Sequence, residues 1–140
     1  MKRLRIISLS YIMFFLLMSC SSSNIPVKCN VNHVVLETTT TKWDSKLMYR
    51  ITHHYKQVDK ITDQNGHVVL KCSSTGSNHG DMYFMGRMGR LKISGDTIIE
   101  YRRKWYYKQC KEIKYDLCGH KFSQKTITLQ DVWSALGKNI

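Results

Sequence analysis

A mainly β (α+β) fold is predicted for this chain of 140 residues: a small antiparallel sheet or half-open barrel of about six or seven strands, with a short C-terminal helix. Three observations lead there. β-Branched and aromatic residues recur in short runs. Two pairs of runs flank two-residue turns, Asn65-Gly66 and Gly95-Asp96, that suit hairpins. Helical spacing is confined to the last segment, "TLQDVWSALG".

In chain order, "VNHVVLETTTT" is rich in β-branched residues and reads as the first strand. "LMYRITHHY" alternates, with Leu47, Tyr49, Ile51, His53 and Tyr55 on one face and Met48, Arg50, Thr52 and His54 on the other, which predicts a single strand. "VDKIT" and "HVVLKC" flank Asn65-Gly66, and "STGSNHGD" follows as a loop. "GRMGR", Gly86 to Arg90, reads as a turn between strands. "RLKIS" and "TIIEY" form the second hairpin. Near its turn Leu91, Ile93 and Ile98 share a face, whereas Tyr101, Trp105 and Tyr107 point to the opposite one. That frame change predicts a β-bulge or a strand passing between two packing partners. Thr128 with Asp131 three residues on is a capping-box variant, and Gly137 supplies a C-cap. Leu129, Val132, Trp133 and Leu136 then line one side of a two-turn helix. No internal repeat or second domain is expected.

Charge is unbalanced: 22 Lys plus Arg stand against 10 Asp plus Glu. Such a surface attracts anions without choosing among them. The densest basic-aromatic stretch is "YRRKWYYKQCK", Tyr101 to Lys111. Read as one strand, it places Arg102, Lys104, Tyr106 and Lys108 on one face, suited to an anionic glycan or lipid headgroup through charge and ring stacking. The bland reading is a solvated basic face over core aromatics. His53-His54 would point to opposite faces and so not share a metal. His79 and Asp81 complete no recognisable ligand set. G-x-S-x-G is absent, no acidic pair stands out, and neither a catalytic residue nor a cofactor is expected.

The first nineteen residues have three parts: the cations Lys2, Arg3 and Arg5, an apolar run from Ile6 to Met18, and a small residue before Cys20. This is the layout of a secretory signal peptide, and the run falls short of the roughly twenty residues of a helical bilayer span. Leu17, Met18, Ser19 and Cys20 resemble the lipobox of bacterial lipoproteins. The resemblance covers this leader alone. It implies that the Cys20 sulfur receives a diacylglyceryl group, that the chain is cut before it, and that the new amino group is acylated, commonly with palmitate. Ser21 in place of Asp leans toward the outer membrane, facing the periplasm, in a Gram-negative cell. Ordinary secretion with cleavage nearby, or a retained anchor, are the alternatives. "SSSNIPV", Ser21 to Val27, reads as a tether to a single domain over 28–140. Without the leader's three cations, 19 basic residues still face 10 acidic ones.

Five cysteines leave one over, and assigning Cys20 to lipid leaves Cys29, Cys72, Cys110 and Cys118 for two disulfides in an oxidising compartment. Sequence does not select among the three pairings. The one favoured here is Cys110–Cys118 across a short loop, with Cys29–Cys72 joining the N-terminal strand to the first half of the domain. No CxxC pair suggests zinc, and paired thiols would exclude thiol catalysis. The expected function is therefore that of a membrane-anchored envelope lipoprotein, a binding or assembly accessory rather than an enzyme. Its partners would be the membrane and an envelope protein, anionic glycan or lipid, not nucleic acid. The alternative is an inhibitor, exclusion or immunity lipoprotein that blocks an exogenous enzyme, phage or toxin.

Overall fold

The computed structural model describes residues 29–79, 82–103 and 108–137, and their side chains except at 79 and 82–85. The leader, Cys20, the tether, Asp81, Lys104, Trp105, Tyr106 and Tyr107 lie outside these residues. The fold is mainly β, with eight strands: β1 (Val34–Leu47), β2 (Arg50–Asp63), β3 (Val68–His79), the four-residue β4 (Met82–Met85), β5 (Met88–Ser94), β6 (Thr97–Arg103), β7 (Gln109–Tyr115) and β8 (Lys121–Thr128). One helix, α1 (Leu129–Ala135), follows. All pairings are antiparallel, in two four-stranded meanders, β1-β2-β3-β4 and β5-β6-β7-β8.

Both glycine-bearing turns fall where the sequence places them, with Gly66 at φ 81° and Gly95 at φ 58°. Two other segments differ from expectation. "LMYRITHHY" is not one strand: Leu47 pairs with Arg50, so the chain reverses at Met48-Tyr49 without Gly, Asn or Pro. "STGSNH" belongs to β3, because its backbone continues the ladder with β2 as far as the pair His53–Asn78.

A five-residue turn occurs twice, as "DQNGH" between β2 and β3 and as "DLCGH" between β7 and β8. In each, one Asp oxygen accepts two backbone N–H groups, from Asn65 at 2.8 Å and His67 at 2.9 Å, and from Cys118 and His120 at 2.9 Å each. The His ring closes back on the same carboxylate, and a register shift just before each Asp repeats as well. This short repeat is visible in the sequence once the turn geometry is known.

Sheet β5–β8 is packed on both faces. Leu91, Ile98, Ile113 and Tyr115 meet Val34 and Ile61 of the other sheet in the inter-sheet core. On the reverse face Met88, Tyr101 and Cys110 enclose Val132 of α1. β6 therefore runs between two packing partners, and no register shift interrupts its ladders. Ile61 and Val132 are wholly buried, and side chains of this kind each contribute roughly 1.5–3 kcal/mol. The capping box holds α1: Thr128 Oγ1 accepts from the Asp131 N–H at 3.1 Å, while the Asp131 carboxylate accepts from the Thr128 N–H at 3.2 Å.

The free edge of β5 is capped by side chains of the other sheet. Ser74 Oγ donates to the Gly89 carbonyl at 2.9 Å and accepts from its N–H at 3.1 Å. Asp59, fully buried, accepts from the Leu91 N–H at 2.9 Å, Arg90 Nε at 2.8 Å and Thr38 Oγ1 at 2.9 Å. Gly89 permits this approach, since a Cβ there would stand 3.0 Å from the Ser73 carbonyl oxygen. An open sheet edge invites aggregation, and here the Gly89 and Leu91 donors are satisfied internally.

The disulfide differs from the expected pairing. Cys29 is bonded to Cys118, 89 residues away, with Cα atoms 5.6 Å apart, and Cys72 and Cys110 are free. From Cys110 to Tyr115 β7 covers about 17 Å at strand rise, and Cys118 lies in the turn beyond it, far outside disulfide reach. Cys72 packs against the inter-sheet core, whereas Cys110 lies in the cluster under α1. Sheet β5–β8 stands between them, so these two thiols do not meet.

Candidate anion-binding groove

Antiparallel pairing aligns side chains in rows across a sheet. Arg102 of β6, Lys111 of β7 and Thr126 of β8 form one row, and Glu100, Ile113 and Gln124 the next. These rows share the face that forms the inter-sheet core: Glu100 and Ile113 are buried, while Arg102, Lys111 and Thr126 beyond them are exposed. Together with Gln109, Arg103 and Cys110, all but Glu100 line an open groove of about 530 Å³.

Glu100 organises the inner wall. It is only 5% exposed, accepts from the Tyr115 hydroxyl at 2.7 Å, and binds Arg102 through Nε at 2.9 Å and Nη2 at 2.8 Å. Burial, then the hydrogen bond to Glu100, pushes the Tyr115 phenol up to about 12, so it stays protonated and donates. Arg102 is thus held in place and half neutralised. Lys111 pairs with no carboxylate among the described residues, and the buried Arg103 Nε has no acceptor. A buried donor without a partner costs roughly 1–3 kcal/mol. An anion in the groove would meet Arg102 and Lys111, with one carboxylate, Glu100, opposing; Arg103, opposite Met88, alternates to the reverse face.

The predicted contact residues are not brought together as one strand face. β6 ends at Arg103 and β7 begins at Gln109, with Arg102 opposite Lys111, so "YRRKWYYKQCK" spans a chain reversal. Arg102 stands in the groove, Lys108 is exposed ahead of β7, and Lys104 and Tyr106 lie outside the described residues. Lys111 was missed as a groove residue. The signal for Lys111 was cross-strand pairing, which a one-strand reading hides.

Other candidate chemistry is occupied. Cys72 is a free thiol, but burial first, then Asp59 and Glu100, pushes it up to about 12. Burial raises Cys110 too. Thiol nucleophilicity is thus suppressed by environment, not by the pairing expected from sequence. His53 contacts Asp44 at 2.7 Å, while His54 contacts Ser45 at 2.6 Å and stacks on Trp43, on opposite faces of the ribbon. Cys29, Asp116 and Cys118 bring ligand-type atoms within 4.8 Å of one another, but the two sulfurs are bonded to each other. Among the described residues, no helix is long and apolar enough to cross a membrane.

No protein-family model matches this chain, and no curated protein or solved structure is similar to it.

Proposed function

We propose that the protein is an exported lipoprotein, anchored through Cys20, whose domain docks by the β6–β8 groove onto an acidic group of another envelope component. The observation that carries the docking is the groove itself, where Lys111, paired with no carboxylate among the described residues, stands beside a pre-positioned Arg102. Export is supported by the leader together with the long-range Cys29–Cys118 bridge, which needs an oxidising compartment to persist. The outer membrane facing the periplasm is the favoured site.

Two measurements test this. Intact mass of membrane-extracted protein should show a chain beginning at Cys20 with acyl groups, and denatured, unreduced protein should then titrate two thiols. Three thiols and a retained Met1 would refute the anchor. Pull-down from detergent-solubilised membranes should recover a partner that the Lys111→Glu variant loses. Equal recovery by both proteins would refute the groove.

A further inference from the structure

Sheet β1–β4 ends in a finger. The β2–β3 ladder stops at His53–Asn78, while β1 and β2 continue alone to their turn at Met48-Tyr49. Leu47, Met48 and Tyr49 are 80%, 84% and 100% exposed, with Ile51 and Trp43 half exposed behind them. Met48 is the sole non-glycine with positive φ among the described residues, at 54°. A bulky apolar residue stands where the backbone favours glycine. That placement opposes folding economy at a tip whose residues stand at least 80% exposed.

Cations collar this tip. Arg50 stands level with Leu47, Lys46 lies one residue behind, about 3 Å along the ribbon, and Lys42 and Lys56 follow at about 17–20 Å. The one nearby acid among the described residues, Asp44, is engaged by His53. We infer that the finger inserts Leu47, Met48 and Tyr49 into the headgroup layer of an anionic phospholipid bilayer. With the tip about 5 Å deep, Lys46 and Arg50 reach the phosphates. Lys42 and Lys56 stay outside, within about one to two Debye lengths of the surface. Tyr49 is a side-chain type that favours this interface, whereas Trp43, about 13 Å behind Leu47, stays outside with Lys42.

A protein groove is the less suitable occupant. Three side chains ending a two-stranded ribbon form a convex tip, well short of the about 800 Å² per partner that a stable protein contact buries. A bilayer deforms around such a tip and supplies complementary charge along its whole surface. The inference rests on the membrane location proposed above, though not on the acyl anchor itself.

The test reconstitutes the full chain into vesicles containing brominated phosphatidylcholine, with or without about one-third phosphatidylglycerol. The tip signal is the difference between the Tyr49→Trp variant and the parent chain. Emission from position 49 should be quenched in anionic vesicles and much less in zwitterionic ones. Lys46→Ala/Arg50→Ala should lower the inserted-to-free ratio about 25-fold, at about five-fold per cation. Leu47→Ser/Met48→Gly, whose glycine suits the turn, should fold and weaken the quenching. Emission unquenched in both vesicles, or quenching indifferent to lipid charge and to the Lys46 and Arg50 substitutions, overturns the inference. Protection of the tip only on adding a membrane protein overturns it equally. An acylated chain with position 49 unquenched sinks the finger and leaves the anchor; an unacylated chain with position 49 quenched does the reverse.

Discussion

Replacing Asp59 with alanine removes the acceptor shared by Arg90, the Leu91 N–H and Thr38. The Asp59 side chain is 0% exposed and that of Arg90 14%, so the substitution leaves a nearly buried guanidinium unpaired. Breaking a buried pair from one side costs about 3–5 kcal/mol, a large part of the 5–15 kcal/mol that holds a domain together. At a urea dependence of about 1.5 kcal/mol per molar, the unfolding midpoint should fall by about 2–3 M. Asp59→Asn retains one acceptor and should lose about 2 kcal/mol. Adding Arg90→Met to Asp59→Ala should restore part of the loss, because the orphaned charge goes with it. Urea unfolding followed by far-UV circular dichroism measures all three. An Asp59→Ala midpoint equivalent to less than 1 kcal/mol from the parent would refute the reasoning, as would a further loss on adding Arg90→Met.

Cys29→Ser opens an 89-residue linkage and should destabilise by about 4–5 kcal/mol, with reduction of the parent giving the same shift in urea midpoint. Burial pulls the Asp63 and Asp116 carboxyls up, yet hydrogen bonds led by the His67 and His120 N–H groups outweigh it and hold both below the usual range. With folded values below the unfolded value of about 3.9, their stabilisation is present above that pH and is lost as pH falls through the folded values. Asp116→Asn should therefore flatten the decline of the urea midpoint between pH 4 and pH 2, and an unchanged slope would contradict this. Cys72 should resist alkylation in the native protein at neutral pH and react at once in denaturant, given a thiol raised to about 12; fast native labelling traced to Cys72 by peptide mapping would refute its described surroundings.

Local chemistry was legible wherever it is local. Asn65-Gly66, Gly95-Asp96 and the Thr128–Asp131 box each specify their own backbone through contacts within five residues. The turn at Met48-Tyr49 was not legible, because its residues carry no turn preference and neighbouring strands impose the reversal. The alternation from Leu47 to Tyr55 read as a strand for the same reason: a two-residue turn leaves a period of two undisturbed on either side. The groove was half legible. Arg102 was singled out from its basic stretch, whereas Lys111 gains its meaning from β6–β7 pairing.

By itself the sequence determined a mainly β chain with a capped terminal helix, a basic excess and an odd cysteine count. Tertiary structure alone decided which thiols bond, that two sheets form, and that Asp59 and Ser74 seal the edge of β5. The physical reason is separation along the chain. Turns and caps are fixed by neighbours a few residues apart, but Cys29 meets Cys118, and Asp59 meets Arg90, once both sheets have packed.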